Sequence, residues 1–346
     1  MKLVTQVYNS LVAIRSFLVK QRSSKIKVGF FRTVSMMLKG FYGEAYVLYD
    51  FQNNDSKDYL AHFARFRTRF INGPYKIMLR DKAVFQTVMS SYIDIPRSLG
   101  TIRRGQFFPI VAGLSLDKLL ESLDDSGVII KPLEGSGGYN VMRLRARGEE
   151  FFLNDKSIGR QQLLDWFAEL NNYLISEYVQ QGSYAQKIFP DSTNTIRMVT
   201  MVDPTTGVPF IAMAVHRFGS STTVPTDNWT QGGMSARINA ETGVMGKAAT
   251  YCYATNQLLW LSHHPETGAK IEGEMVTNWE EVKEKILRLA QVFSFIKYVG
   301  WDVVPTDKGI KVIEGNNFPE INTLQVHQGL LTDPRVANFY KHYKVI

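Results

Sequence analysis

The stretch Lys131 to Val141, KPLEGSGGYNV, constrains this chain more than any other. Ahead of it Val128, Ile129 and Ile130 form a β-branched apolar run, the pattern of a buried strand, which Lys131 and Pro132 end. Gly135, Gly137 and Gly138, with Ser136 among them, permit a turn whose backbone N–H groups come close to a ligand. Beyond the turn Val141, Met142 and Leu144 alternate with Arg143 and Arg145, so the chain resumes as a strand. The result is a hairpin whose tip can fold over phosphates, with a lysine at the strand end to neutralise them. The spacing is neither that of a P-loop nor that of GxGxxG opening a helix, and a plain tight turn uses the same residues. Residues further along the chain decide between the two.

A chain of 346 residues can bury a large core and divide into two or three lobes. Its single cysteine, Cys252, excludes a disulfide within the chain and a cysteine-rich metal site, and is expected to be a buried, inert thiol. No apolar run reaches the ~18 residues of a spanning helix, and Leu11 to Val19 lacks the features of a secretory signal, so a cytoplasmic protein is expected. Residues 1–43 hold eight bases and no acid. Setting them aside from the chain's 40 bases and 32 acids leaves the remainder without net charge. That balance argues against a nucleic-acid groove. Leu3, Val7, Leu11, Ile14 and Leu18 recur at helical spacing in the basic segment. Such a helix can lie on an anionic membrane, meet an acidic partner, or dock on the body with its basic face solvated.

Asp81 reads as the cap of a helix running through Met89, after a short strand at Ile77–Leu79. Ser115 caps a helix from Leu116, Gln161 to Leu170 is helical, and Tyr173 to Val179 is a strand. From Thr195 onward the chain is sheet-rich, with a polar loop over 219–233 and a helix from Trp279 to Phe295. Helices interrupting hairpin-connected strands give an α+β class with antiparallel sheets. The last hairpin, WDVVPTDKGIKVIEGNN, carries Asp302, Glu314 and Asn316. Glu314 and Asn316 share a strand face, and Asp302 can meet them across the hairpin. Two carboxylates and an amide oxygen suit Mg²⁺ bound to nucleotide phosphates, although a solvated hairpin edge uses the same residue types. His216, His263 and His264 read as surface or satisfied histidines, and Trp229, Trp260 and Trp301 as core or pocket wall.

The order Lys82, KPLEGSGGYNV, SEYV, NTIRMV, DNW…GG and WDVV…IEGNN resembles the ATP-grasp superfamily over about residues 75 to 330. Within it, the chain is most similar to the sugar-transfer-associated group found with polysaccharide biosynthesis. The resemblance implies two α+β lobes clasping ATP, over 76–176 and 177–346, after a basic, largely helical segment 1–75. It implies that Lys82 and Lys131 are the nucleotide lysines and that Gly135, Ser136, Gly137 and Gly138 are a phosphate flap. Glu177, Tyr178 and Val179 would form the hinge that reads adenine. Asp302, Glu314 and Asn316 would be the Mg²⁺ ligands. Arg197 and Arg217 would meet the transferred phosphate or a carboxylate substrate, with Asn228, Gly232 and Gly233 in a substrate loop. The ribose-binding acid of many relatives is replaced here by Gln180-Gln181-Gly182-Ser183. The activity implied is an ATP-dependent carboxylate–amine ligase, joining a sugar acid or similar carboxylate to an amino acid or amine in surface polysaccharide assembly. A phosphotransferase on the same fold and a non-catalytic nucleotide-binding protein are the alternatives.

Overall fold

Period-two sequence becomes two antiparallel sheets of seven strands each, and helical spacing becomes the layers that cover them. The computed structural model describes residues 2–135 and 137–346, with side chains from residue 12 onward. The side chains of Leu3, Val7 and Leu11, and the whole of Ser136, lie outside the described residues.

The N-terminal segment folds into α1 (Lys2–Ser23), α2 (Phe30–Leu38), α3 (Ala45–Leu48) and α4 (His62–Thr68). Helix α1 docks through Phe17, which stacks on Tyr42 at 4.8 Å and meets Phe63 edge-on at 5.8 Å. Ile14 and Leu18, on the anticipated apolar stripe, stay exposed. Residues Ile77–Leu79 are not a strand but part of α5 (Ile77–Arg80). The turn begun at Gly73-Pro74 runs straight into it, so the chain is already helical when it reaches Ile77. Asp81 turns extended and accepts hydrogen bonds from the N–H groups of Ala83 and Val84, capping α6 (Lys82–Met89) as anticipated.

The first sheet comprises β1 (Ser98–Arg103), β2 (Gln106–Pro109), β3 (Val128–Pro132), β4 (Met142–Arg147), β5 (Glu150–Leu153), β6 (Lys156–Ile158) and β7 (Tyr173–Glu177). Their order is β2-β1-β7-β3-β4-β5-β6. Helices α7 (Leu116–Glu121) and α8 (Arg160–Glu169) cover one face, where Ile102, Val128, Ile130, Leu144, Leu163 and Phe167 form a core of their own. After α9 (Ser183–Ile188) comes the second sheet, of β8 (Ile196–Val202), β9 (Pro209–Phe218), β10 (Met234–Ile238), β11 (Met245–Cys252), β12 (Gln257–Leu261), β13 (Tyr298–Thr306) and β14 (Gly309–Asn316). Its order is β12-β11-β10-β9-β8-β13-β14. Helix α10 (Trp279–Val292) packs on one face together with Leu79, Phe85, Met89 and Ile93, so residues 77–93 join the core of the second sheet. The opposite face is covered by α11 (Asn322–Gln325) and α12 (Pro334–His342). With both faces covered, β8 is buried along its whole length. Among the described residues no helix is long and apolar enough to cross a membrane.

Candidate active site

Strand alternation explains how the first sheet presents its functional residues. Val128 and Ile130 face its core, so Ile129 and Lys131 face the opposite way and line a cavity of about 470 Å³ between the sheets. Gly135, Gly137 and Gly138 of the connecting loop line the same cavity. Gly137 and Gly138 take φ values of +80° and +69°, a region side chains disfavour, which is why this turn needs glycine. Lys82 donates from Nζ to the Gly135 carbonyl at 3.1 Å, and the Asn228 amide donates to the Gly137 carbonyl. Asn228 thus ties the polar loop to the flap as well as lining the cavity.

On the second sheet the register sets the arrangement. Arg197 of β8 stands opposite Asp302 of β13, which stands opposite Glu314 of β14. Directly paired residues share a face, so the three form a row along one wall of the cavity. Asp302 accepts from Arg197 Nε at 2.6 Å and Nη2 at 3.1 Å, and Arg217 Nη2 lies 3.1 Å from its Oδ2. Arg217 also donates to Thr195 Oγ1 and lies 3.4 Å from Asp227. The two arginines hold the Asp302 carboxyl down at about 2 despite its burial. Burial pushes Asp227 the other way, upward. Lys131 is only 5% exposed, and burial, opposed by Glu314 and assisted by Lys82, lowers its ammonium to about 8.

Thirteen of the seventeen anticipated site residues line this one cavity: Lys82, Lys131, Gly135, Gly137, Gly138, Glu177, Val179, Arg197, Arg217, Asn228, Asp302, Glu314 and Asn316. Ser136 lies outside the described residues. Tyr178 is not among the lining residues; alternation turns its ring away, under the Arg143 guanidinium at 3.9 Å. Glu177 pairs with Lys311 of β14 at 2.6 Å. Gln181 is buried in contacts with Asn194 and Phe189, and no residue of 180–183 lines the cavity. Gly232 and Gly233 lie outside the lining too; a side chain at Gly233 would press on the carbonyls of Asp227, Asn228 and Phe218.

Sequence reasoning missed an entire wall. Lys20 and Arg65 of the N-terminal helices, Arg69 just past α4, and Phe318, Glu320 and Thr323 after the last hairpin also line the cavity. The alternation of bases and aromatics in Arg65-Phe66-Arg67-Thr68-Arg69-Phe70 was the available signal.

His216 and His264 are held inside the fold. His216 is buried, donates from Nδ1 to the Arg217 carbonyl and accepts at Nε2 from Tyr184, and burial lowers it to about 3. His264 is buried against Phe189, while its neighbour His263 faces solvent. Two expectations need correction. Cys252 is half-exposed at the end of β11, where a hydrogen bond from Thr255 lowers its thiol. Trp260 is neither core nor pocket wall: it is 45% exposed on the edge strand β12, with His327 against its ring. Trp301 is core and Trp229 is pocket wall.

Residues 63–341 match the family described as sugar-transfer associated ATP-grasp. The chain belongs to that family. No curated protein matches it. Among solved structures, the ATP-grasp ligase PsnB with its minimal precursor is 14% identical, with 78% of this chain and 64% of that chain covered and a TM-score of 0.40. The VanG D-Ala:D-Ser ligase from Enterococcus faecalis is 10% identical, with coverages of 76% and 61% and a TM-score of 0.43. The D-alanine–D-alanine ligase from Bacillus anthracis is 13% identical, with coverages of 76% and 68% and a TM-score of 0.39. The chain spans less than two thirds of the length of the first two.

For this ATP-grasp chain the oxygen donors can be tested against Mg²⁺. Among the described residues no group of three or more His, Cys, Asp or Glu gathers to hold a metal. The donors are instead two carboxylates and an amide. Asn316 donates from Nδ2 to the Gly300 carbonyl at 3.2 Å and to Glu314 at 3.3 Å, which leaves its Oδ1 as a ligand atom. A carboxylate offers about four acceptor positions, and the arginines take three at Asp302, leaving about one. Hard oxygens in this number fit a magnesium ion that keeps waters and shares its shell with phosphates.

Proposed function

We propose that this ATP-grasp chain is a carboxylate–amine ligase working through an acyl phosphate, with a sugar acid or similar carboxylate and an amino acid or other amine as its substrates, in surface polysaccharide assembly. The supporting observation is that the buried lysine, the flap, the two arginines and the oxygen donors all face one cavity. The carboxylate oxygen attacks the γ-phosphorus of ATP, the bond from that phosphorus to the bridging oxygen breaks, and ADP leaves. An amine then attacks the acyl carbon, phosphate departs with the bonding pair, and the amine loses a proton. Lys131 meets the phosphates, and Arg197, whose Nε and Nη2 are fixed by Asp302, offers Nη1 to the moving phosphoryl oxygens. The flap, latched by Lys82 and Asn228, keeps water from the acyl phosphate. Mg²⁺, held by Glu314 and Asn316 with the remaining position of Asp302, would neutralise charge on the β- and γ-phosphates.

The test is a screen of sugar acids and amino acids for ADP release, with hydroxylamine added to trap the activated acyl group. A hydroxamate that forms only with ATP and a carboxylate supports the ligase. Phosphate left on a product hydroxyl instead would establish the phosphotransferase, and no nucleotide binding at millimolar ATP and Mg²⁺ would end both readings.

Lys131 gives a pH-dependent expectation. Its pKa in the folded protein, about 8, lies below the ordinary 10.5, so the buried ammonium costs stability below pH 8, and the cost fades as pH rises from about 8 to 10.5. ATP phosphates favour the charged form, so binding should take up protons above pH 8 and weaken as pH rises. Calorimetry in buffers of different ionisation enthalpy reads the uptake. Lys131→Met should abolish it, and equal uptake in that variant would remove Lys131 from the phosphate site.

The N-terminal segment supports a membrane role for the same enzyme, at the cytoplasmic face. Phe30, Phe31 and Leu38 of α2 are 74%, 85% and 85% exposed and lie with Val34 at spacings that share one side of the helix. Arg32, Lys25, Lys27 and Lys39 flank them in a segment that contains no acid before Glu44. An apolar, aromatic helix face in such a setting matches an anionic lipid surface. The protein should co-sediment with vesicles containing phosphatidylglycerol and not with phosphatidylcholine alone, and Phe30→Ser with Phe31→Ser should lose most of that binding. Undiminished binding by the double variant, or a solution dimer that the same changes dissociate, would sink the assignment.

A further inference from the structure

Arg69 follows α4 and lies at the seam of two cavities. One is the cavity described above. The other, also about 470 Å³, is a groove that shares Lys82, Gly135, Glu314 and Asn316 with it and runs out past Lys76 and Arg80. The neighbouring Arg65 is fully committed. It donates to the carbonyls of Phe318 and Pro319, pairs with Glu320 at 3.5 Å, and lies 3.8 Å from the Phe318 ring centre. Arg69 differs. Its guanidinium lies over Phe318 at 4.2 Å and Phe66 at 4.9 Å, and among the described residues it has no carboxylate in ion-pair range and no side-chain hydrogen bond. Burial, with the nearby Arg65, lowers its pKa.

A half-buried guanidinium beside a second arginine, with its donors unused, is an unfavourable arrangement until an anion arrives. The aromatic rings fix its plane while leaving its N–H edge available, which suits two-pronged bonding to carboxylate or phosphate. Along the groove, Lys76 has no ion-pair partner among the described residues, and Arg80 reaches only the exposed Glu134, at 3.8 Å. The groove therefore carries a surplus of positive charge leading to Glu314 and Asn316.

We infer that Arg69 binds an anionic group, carboxylate or phosphate, of the substrate that meets ATP, and that this substrate lies in the groove lined by Lys76 and Arg80. The inference rests on the reading that ATP occupies the first cavity, between the sheets. It gives the N-terminal helices a part in substrate selection: neutral sugars are passed over, and an acidic sugar or a phosphorylated one is held with its reacting end towards Glu314.

The test follows the Nε–H resonance of Arg69 in ¹⁵N-labelled full-length protein, assigned by its loss in Arg69→Met. That variant keeps the packing stem over Phe318 and removes the donors, and its melting temperature checks the fold. D-glucuronate, glucose 1-phosphate and neutral glucose are titrated with and without the non-hydrolysable ATP analogue AMPPNP and Mg²⁺. Glucuronate or glucose 1-phosphate should move the Arg69 signal and glucose should not, and the more effective of the two identifies carboxylate or phosphate as the group held. Arg69→Met should weaken that binding about tenfold, with Arg69→Lys between it and the wild type. AMPPNP affinity, measured on the same samples, should fall by less than the anion affinity in both variants, and an equal or larger loss would put Arg69 on the nucleotide and overturn the subsite. Wild-type anion affinity in Arg69→Met, an equal response to glucose, or no response to any probe overturns the subsite even if AMPPNP binds. Failure of AMPPNP to bind, with the anion response intact in the nucleotide-free protein, would count against the ATP reading alone.

Discussion

Replacing Glu314 by Gln is expected to lower turnover about a hundredfold, on the order of 3 kcal/mol in the transition state, while weakening nucleotide binding far less. Glu314 stands at the end of the row Arg197, Asp302, Glu314, with Asn316 Nδ2 at 3.3 Å and Lys82 Nζ at 3.9 Å. Glutamine preserves that volume and one acceptor oxygen, so the fold should hold. What is lost, on the proposed reaction, is negative charge that would help to hold Mg²⁺, and charge matters most as the phosphoryl group moves. Lys131→Met should instead damage binding as well, because on the proposed reading its ammonium would meet phosphates already present in the ground state. Glu314→Asp should also fail, since the shorter arm cannot span the narrow range of magnesium–oxygen distances. A folded Glu314→Gln protein that turns over like the wild type across a Mg²⁺ titration would remove the final hairpin from the reaction.

The second large effect is on stability. Asp302→Ala should destabilise the protein by about 3–5 kcal/mol, read as a shift in the urea midpoint, because it leaves Arg197 and Arg217 buried with only Asp227 to answer them. Asp302→Asn, which keeps the shape and one acceptor, should cost less. The pH dependence has a definite sign. The carboxyl of Asp302 falls from 3.8 to about 2 on folding, so its stabilisation is complete above pH 3.8 and is lost as pH falls through about 2. Asp227, pushed up by burial, acts in the opposite sense. The gap between wild type and Asp302→Asn should therefore close across that acid range. A constant gap, or none at any pH, would mean that the cluster does not hold the sheet together.

The flap and the last hairpin were legible because local signals agreed with the fold. Glycines coincide with positive φ, and period-two runs flank the turn on both sides. The cap at Asp81 was equally local. Ile77–Leu79 misled because three apolar residues fit a strand or a helix alike, and the preceding turn decides which. The pairing of Asp302 with Arg197 was beyond sequence reasoning: the partners are 105 residues apart, and their register depends on how β8 and β13 meet. Arg69 was hidden for a related reason. Its alternating bases and aromatics point to no ligand until Phe318 is brought beneath the guanidinium.

The first sheet leaves the rest of the molecule after Arg97 and rejoins it at Glu177, and those two points touch: the Glu177 N–H donates to the Arg97 carbonyl at 2.9 Å. Its buried apolar side chains cluster among themselves, and what joins its far side to the remainder is polar, chiefly Lys82 to the carbonyls of Leu133 and Gly135, and Asn228 to Gly137. A jaw mounted this way can swing without uncovering an oily surface, and water can replace the few bonds it breaks. An open form reached this way would differ from the present one by little free energy. A molecule that touches Lys131 on one side and Glu314 on the other needs only a modest preference for the closed form to draw the population over.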